Sequence, residues 1–208
     1  AAFAQVVDPT TLNGKVLAGY QGWFSAPGDG NHSTIGWRHW SHSRTDIGPG
    51  LYNVDLWPDV SNFDPDELFP APNVQLTDGT TGKLFSSRTL KTAQRHFRWM
   101  KDNGIDGILL QRFLPAFGSV YFEERNAVLQ NMPIAAGVYG RVFALEYDIS
   151  NQTTEELFNN LTTDWKYLID TYHISSGPRY LHHNGKPVVA IWGLGFGDRP
   201  GTPDIANA

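Results

Sequence analysis

The stretch from Thr89 to Phe113, TLKTAQRHFRWMKDNGIDGILLQRF, decides the fold. Apolar residues recur every three or four positions in its first part, which predicts an amphipathic helix that Gly104 can end. The face predicted to be buried carries Leu90, Ala93, Phe97 and Met100. The run that follows, residues 105–113, is apolar apart from Asp106 until the polar pair Gln111 and Arg112. A buried strand with polar side chains at its end is typical of α/β enzymes, which place their chemistry there.

Strand and helix patterns alternate along the rest of the chain. The predicted strands are 15–24, 51–57, a short segment at 83–87, 141–150 and 188–192. A helix is predicted from Ser119 to about Met132, where Pro133 should end or kink it. A second begins at the capping box of Thr153 and Glu156 and reaches Tyr172. Such alternation indicates parallel strands joined by helical crossovers.

Composition limits the class of protein. The 208 residues, 40% hydrophobic and 18% charged, are enough for one domain with a real core. The net charge of −5 disfavours a nucleic-acid partner, because a protein that binds nucleic acid needs a basic face to neutralise the phosphates. No stretch approaches the ~18 continuous apolar residues of a membrane span, so no membrane partner is expected. The absence of cysteine excludes disulfides, zinc–thiolate sites and a thiol nucleophile.

Two acids in the segment RVFALEYDIS are the candidate catalytic residues. Alternation along a strand places Glu146 and Asp148 on one face, opposite the apolar set that helices should cover. Two carboxyls on one buried face can differ in pKa and serve as acid and base, as glycoside hydrolysis requires. The alternative is structural: Glu146 pairs with Arg112 or another cation, and Asp148 caps a turn.

Other polar residues leave the same choice open. Gln111 and Arg112 can bind substrate hydroxyls or support neighbouring strands through a buried network. Asp59, next to a proline, suits a turn as well as a site. His39 and His42 have metal-ligand spacing but lie in a long aromatic loop, residues 25–50, without an evident third ligand.

No nucleotide-binding, dinucleotide-binding, serine-hydrolase or zincin motif occurs, so we expect no metal and no cofactor. The long loop carries Trp and His residues beside Gly, which favours a site loop, because sugar-binding clefts use aromatic rings as stacking surfaces. Three N-x-[ST] sequons, at Asn31, Asn151 and Asn160, favour a secreted glycoprotein.

Several segments together resemble the glycoside hydrolase family 71/99-like proteins. They are GKVLAGYQGWF from residue 14, GDG followed by WRHW, DLWPDVS from 55, LFSS from 84, HFRWMKDNGIDGILLQRF from 96, GRVFALEYDIS from 140, DWKYLID from 164 and YLHHNGKPVVAIWGLGF from 180. GYQGWF with HW is also distantly similar to the first-strand pattern of the family 99 endo-α-mannosidases. The matching segments span residues 14–196.

This resemblance implies an α/β fold of the (β/α)8 TIM-barrel type, of which residues 1–208 would form a single, incomplete barrel domain with about the first five strands. It also implies activity on α-linked glycans at the C-terminal ends of the strands. Substrate-contact positions in matching motifs are Tyr20, Trp23, His39, Trp40, Asp59, Gln111, Arg112, Asp148 and Trp192. The paired acids of the family 99 relatives lie in a later WNEW-x-E-like segment that has no counterpart here.

Five strands of a barrel would leave two unpaired edges and an apolar inner face open to water. We therefore expect a partner for this surface, either the remaining barrel strands or a second copy of the chain. The leading functional hypothesis is a secreted glycoside hydrolase, or the N-terminal part of one, acting on α-linked glycans with a retaining mechanism implied by the resemblance. The alternative is a non-catalytic carbohydrate-binding protein on the same scaffold.

Overall fold

A computed structural model describes residues 6–114 and 119–196. The strands are β1 (Leu17–Tyr20), β2 (Leu68–Gln75), β3 (Thr81–Phe85), β4 (Gly107–Phe113), β5 (Val142–Asp148), β6 (His182–His183), β7 (Lys186–Pro187) and β8 (Val189–Trp192). The α-helices are α1 (Leu90–Asp102), α2 (Val120–Tyr139) and α3 (Thr154–Tyr172). Short 3-10 turns lie at Pro65–Glu67 and Ile174–Ser176. None of the helices in these two ranges is long and apolar enough to cross a membrane.

The chain divides into two compact units. The first unit contains residues 1–20, 100–117 and 136–208, and the second contains residues 21–99 and 118–135. Within the first unit, β1, β4, β5 and β8 form a parallel sheet in the order β1-β4-β5-β8. This parallel sheet with its helical connections confirms the α/β class and fits part of a (β/α)8 barrel.

One side of the sheet carries the large apolar side chains of the first unit's core. Side chains of β4 and β5 at alternate positions are buried there: Ile108, Leu110, Phe143, Leu145 and Tyr147. Helix α3 begins at the predicted capping box, in which Thr153 accepts a hydrogen bond from the Glu156 amide and Glu156 accepts one from the Thr153 amide. Leu157 and Leu168 of α3 are buried. The helix ends at His173, whose φ of 49° is left-handed.

The second unit is built around the antiparallel hairpin of β2 and β3. The long loop 25–50 packs on this hairpin through Trp37 and Trp40, both 3% exposed, so it contributes core residues as well as surface. Gly36 has a φ of +54°, and a Cβ atom there would lie 1.8 Å from the Arg44 carbonyl oxygen. Only glycine therefore allows the loop to close on itself at this point.

Three sequence predictions are wrong in detail. Residues 51–57 do not form a strand of the parallel sheet; Tyr52 makes only an isolated bridge with Ser41. Strand β2 lies in a segment predicted as a connection, despite Pro70 and Pro72. Helix α2 continues through Pro133 to Tyr139. In each case packing outweighs local propensity: α2 buries Met132, Ala135 and Ala136 around the proline, which offsets the lost backbone hydrogen bond.

Candidate functional site

The candidate site lies at the C-terminal edge of the parallel sheet in the first unit. Gln111 of β4 is in register with Glu146 of β5, and Phe113 is in register with Asp148. Asp148 is in turn paired with Trp192 at the end of β8. Residues in register on neighbouring strands share a face, so this edge presents two acids, an amide and aromatic rings together.

Asp148 is fixed by two hydrogen bonds. Gln111 donates from Nε2 to Oδ2 over 2.6 Å, and the Ser150 amide donates to Oδ1 over 2.8 Å. The residue is 3% exposed. Asp148 thus caps a turn, which was the structural alternative for this residue. It is also oriented by Gln111, a predicted site residue. The two donors fix the orientation of the Asp148 carboxylate at the strand end.

Glu146 is the contrasting carboxyl. It is half-buried, and within residues 6–114 and 119–196 it makes no hydrogen bond and no ion pair. Its Oε2 atom would lie 3.9 Å from a Cβ atom placed on Gly19 of β1, so the glycine leaves space beside the carboxyl. Burial, and secondarily the negative charge of Asp148, raise the pKa of Glu146. The pair therefore combines a carboxyl that retains its proton more readily with one that is held by donors.

Arg112 lies on the opposite side of the sheet. Its Nε and Nη2 atoms donate to the two carboxylate oxygens of Asp164 in α3, over 2.6 and 2.7 Å. The Tyr147 hydroxyl donates to Asp164 over 2.8 Å, and burial together with Asp164 raises the pKa of Tyr147. We assign this buried triad of Arg112, Tyr147 and Asp164 to joining α3 to the sheet, and we leave Arg112 out of the candidate site.

Asp164 was missed at the sequence level, although a signal for it exists. It lies seven residues after Leu157 and four before Leu168, on the apolar face of α3, and it is fully buried. A carboxylate in the middle of an apolar helical face requires a cationic or hydrogen-bonding partner. Arg112 near the end of a buried strand is the matching signal.

Tyr20 and Trp192 end the two outer strands of the sheet. Tyr20 is in register with Leu110, on the side of the buried apolar residues, and burial raises its pKa. Trp192 is 39% exposed and meets Phe196 edge to face, with ring centroids 5.4 Å apart. Of the two, Trp192 presents an accessible ring beside Asp148.

In the second unit, Trp23 and His39 form a stacked pair. Their ring centroids are 4.5 Å apart and their planes differ by 14°. His39 has a φ of 62°, and its Nε2 atom is buried without a hydrogen-bond partner in the described part of the chain. Burial, followed by the positive charges of Arg38, Arg44 and Arg125, lowers the pKa of His39 to about 4. The imidazole is therefore neutral at neutral pH.

Trp40 and Asp59, two other predicted substrate contacts, lie where their side chains stabilise the fold. Trp40 is a core residue whose Nε1 donates to the Phe85 carbonyl oxygen over 3.0 Å. Asp59 is exposed and accepts a hydrogen bond from the Ser61 amide over 2.8 Å, which lowers the pKa of Asp59. We therefore interpret Trp40 as a packing residue of the core and Asp59 as a residue that stabilises a turn.

One group of acids has a spacing that suits a metal ion. Ligand atoms of Asp64, Asp66 and Glu67 lie within 4.8 Å of one another. Lys91 forms ion pairs with Asp64 and Asp66, and Arg95 with Asp64 and Glu67. Because each of the three carboxylates already pairs with one of these two cations, we interpret the group as a network that joins α1 to the turn before β2.

The three sequons differ in accessibility. The Asn31 amide nitrogen donates to Asp29 and Ser25, and its oxygen accepts from Arg88. The Asn160 amide nitrogen, on α3, donates to Gln152 over 2.7 Å. Asn151 is exposed, lies in a turn with a φ of 60°, and its side chain makes no hydrogen bond with the residues that the structure describes.

We expect Asn151 to be glycosylated most completely when the chain passes through a eukaryotic secretory pathway, because its amide nitrogen is available. Intact mass spectrometry before and after endoglycosidase treatment, combined with the Asn151→Gln variant, measures this. Asn160→Gln is the matched control. Loss of most of the glycan mass in Asn160→Gln, with none lost in Asn151→Gln, would contradict the expectation.

No protein-family model and no curated protein matches the chain. The chain is similar to a solved structure of the GH99 endo-alpha-mannosidase from Bacteroides thetaiotaomicron, with 19% identity and a TM-score of 0.48 over 90% of this chain and 45% of that one. A second structure of that enzyme, in complex with BIS-TRIS-propane, gives 17% identity and a TM-score of 0.47 over 90% and 42%. The chain thus spans less than half the length of the structures to which it is similar.

Proposed function

We propose that this chain carries part of a glycoside hydrolase that acts on α-linked glycans. The observation that carries the proposal is the carboxyl pair of β5. Glu146 has a raised pKa and no described partner, and Asp148, in register with the accessible Trp192, is held by Gln111 and Ser150. Such a pair at the C-terminal edge of a parallel sheet suits cleavage of a glycosidic bond.

The roles follow from the surroundings of each carboxyl. Glu146 is the general acid: as the glycosidic C–O bond breaks, its electron pair goes to the leaving oxygen, which takes the proton of Glu146. Asp148 is the charged partner of the oxocarbenium-like centre and, with retention, bonds to the anomeric carbon. A water molecule then replaces Asp148 and returns its proton to Glu146. Retention itself rests on the sequence resemblance.

Sugar contacts at this site come from an amide and an aromatic ring. The Gln111 amide contacts Asp148 and can reorient toward a substrate hydroxyl, and the exposed ring of Trp192 suits the flat apolar face of a pyranose. Trp23 and His39 stay predicted sugar contacts in the other unit. Because the resemblance also implies a later acid pair that this chain lacks, a substrate-binding role for Glu146 and Asp148 is the alternative that experiment must separate from catalysis.

The test is a substrate panel. The protein is incubated with α-mannan, α-1,3-glucan and a β-linked glucan, and released reducing ends are measured across pH 4–8 beside calorimetric binding of the same sugars. The proposal predicts release from an α-linked polymer only. Binding without release at every pH would favour a non-catalytic carbohydrate-binding protein. A protein that neither binds nor cleaves any of these sugars would contradict both hypotheses.

A further inference from the structure

A second concave site lies in the second unit, beside the β2–β3 hairpin. The cavity has a volume of about 480 Å³. Its walls come from the segment before Pro58 and from the end of β2 with the turn that follows it: Tyr52, Val54, Asp55, Trp57, Val74, Gln75, Leu76, Thr77 and Asp78. None of these residues belongs to the carboxyl pair or to the contact positions predicted from sequence. The volume is within the range of small-molecule sites in proteins.

Two aromatic rings form a rigid part of the wall. Tyr52 and Trp57 meet edge to face, with centroids 6.1 Å apart and planes at 77°. Trp57 also packs on β3 where Gly82 lacks a side chain: a Cβ atom there would lie 2.9 Å from Trp57 Cζ2. The indole is therefore held in place before any ligand arrives, which lowers the entropy cost of binding.

The polar groups of the cavity have unused hydrogen-bonding capacity. The side chains of Asp55, Gln75 and Thr77 are exposed and have no hydrogen bond or ion pair with any described residue. The Asp78 Oδ1 atom accepts from Thr80, and its second oxygen has no such bond. The Trp57 indole nitrogen is buried without a partner in the described part of the chain. Donors and acceptors thus surround the two rings.

The chemistry of the lining selects the ligand class. Among residues 6–114 and 119–196, no lysine, arginine or histidine lines the cavity, which disfavours phosphates and carboxylates as ligands. A purely apolar ligand would leave the carboxylates and amides of the wall without partners. A neutral sugar satisfies both conditions, because a pyranose has an apolar CH face for an aromatic ring and hydroxyls that donate to carboxylates and accept from amides.

We propose that this cavity is a saccharide-binding site for one or two neutral pyranose units, separate from the carboxyl pair. It does not depend on the proposed hydrolase activity, because binding at the cavity involves none of the residues assigned to cleavage. The Tyr52 and Trp57 rings form the stacking surface, and Asp55, Gln75 and Thr77 bind the hydroxyls.

The experiment follows the indole signals of the seven tryptophans by ¹H–¹⁵N NMR. The Trp57 signal is assigned as the one missing from Trp57→Phe. Methyl α-D-mannopyranoside, nigerose and choline are titrated in turn into the intact chain. The Trp57 signal should shift with one or both sugars and not with choline. Trp57→Ala lacks this signal, so its sugar binding is measured by calorimetry beside that of the parent. Because aromatic hot-spot contacts dominate such sites, it should bind about tenfold or more weakly.

Substitutions at exposed positions of the cavity test sugar binding without unfolding the chain. The double variant Asp55→Ala/Gln75→Ala should weaken sugar binding about tenfold, because two hydrogen-bonding groups are lost without disturbing the core. Phe158→Ala, an exposed aromatic residue of α3, is the matched control and should bind like the parent. Glu146→Gln should also bind at this cavity normally, which separates failure here from failure of the proposed hydrolase.

Two results would overturn the proposal. One is no shift of the Trp57 signal with either sugar at 100 mM. The other is a shift that the double variant leaves unchanged. A response to choline alone would assign the cavity to organic cations instead, through cation–π contact with the two rings.

Discussion

Replacing Asp164 with alanine is expected to lower the free energy of unfolding by roughly 3–5 kcal/mol, because it removes the carboxylate that pairs with the buried Arg112 guanidinium. Arg112 is 2% exposed, and both of its hydrogen bonds to the Asp164 carboxylate would be lost. The Tyr147 hydroxyl would lose its acceptor as well. Urea unfolding followed by circular dichroism measures the change, provided that the variant is compared at the same protein concentration.

Two variants set the scale for this result. Tyr147→Phe removes one hydrogen bond of the triad and should cost about 1 kcal/mol. Lys166→Ala removes an exposed ion pair with Asp170 on the same helix and should change stability little. If Asp164→Ala unfolded at the same urea concentration as Lys166→Ala, the triad would not hold α3 to the sheet.

Replacing Glu146 with glutamine is expected to reduce turnover of the α-linked substrate by about 10²- to 10⁴-fold, the usual contribution of general acid catalysis. Glutamine has nearly the same shape but no proton to transfer to the leaving oxygen. Sugar binding measured by calorimetry should change little. A variant with parental turnover would exclude Glu146 as the acid.

The same substitution should leave the fold intact, since the sign of the pKa shift makes the charge of Glu146 unfavourable to folding. A carboxyl whose pKa is higher in the folded than in the unfolded chain contributes stability below the unfolded value, and this contribution is lost as pH rises through the folded value. At neutral pH the neutral glutamine should therefore be as stable as glutamate, or more so. Activity should fall as pH rises through the pKa of Glu146, because the acid must carry its proton.

These two acids illustrate what sequence can predict about the site. Alternation along RVFALEYDIS predicted that Glu146 and Asp148 share a face, and the register of β5 with β4 gives them Gln111 as a common neighbour on that face. The surroundings that distinguish them depend on contacts that the pattern does not contain. The Ser150 amide bonds to Asp148 only after the strand ends, and the space beside Glu146 depends on Gly19, more than a hundred residues earlier in the chain.

Arg112 and Asp164 show the same limit. Each carried a local signal, a cation near the end of an apolar strand and an acid on an apolar helical face, but their pairing requires the helix to cross the sheet at one particular place. The residue pattern left Gln111 and Arg112 open between substrate binding and a buried network, and the family resemblance placed both among the substrate contacts. The period of two along a strand separates the two residues onto opposite faces.

The helices and strands also differ in how far the sequence predicts them. Helix α1, strand β4 and helix α3 were predictable because periodicity, capping and glycine punctuation agree with one another. Strand β2 was not, because two prolines are unusual in a strand and are tolerated here in a two-stranded hairpin. Residues 51–57 alternate like a strand, yet their aromatic rings pack into the second unit's core and line its cavity.

In the proposed reaction Glu146 is a proton-carrying acid beside Asp148. The most direct test is a ¹³C NMR pH titration of the Glu146 side-chain carboxyl, assigned with Glu146→Gln, in the parent chain and in Asp148→Asn. We expect the pKa of Glu146 to lie above the ordinary glutamate value of about 4.3 in the parent and to be lower in Asp148→Asn, because the neighbouring charge is removed. A parental pKa at or below the ordinary value would contradict it.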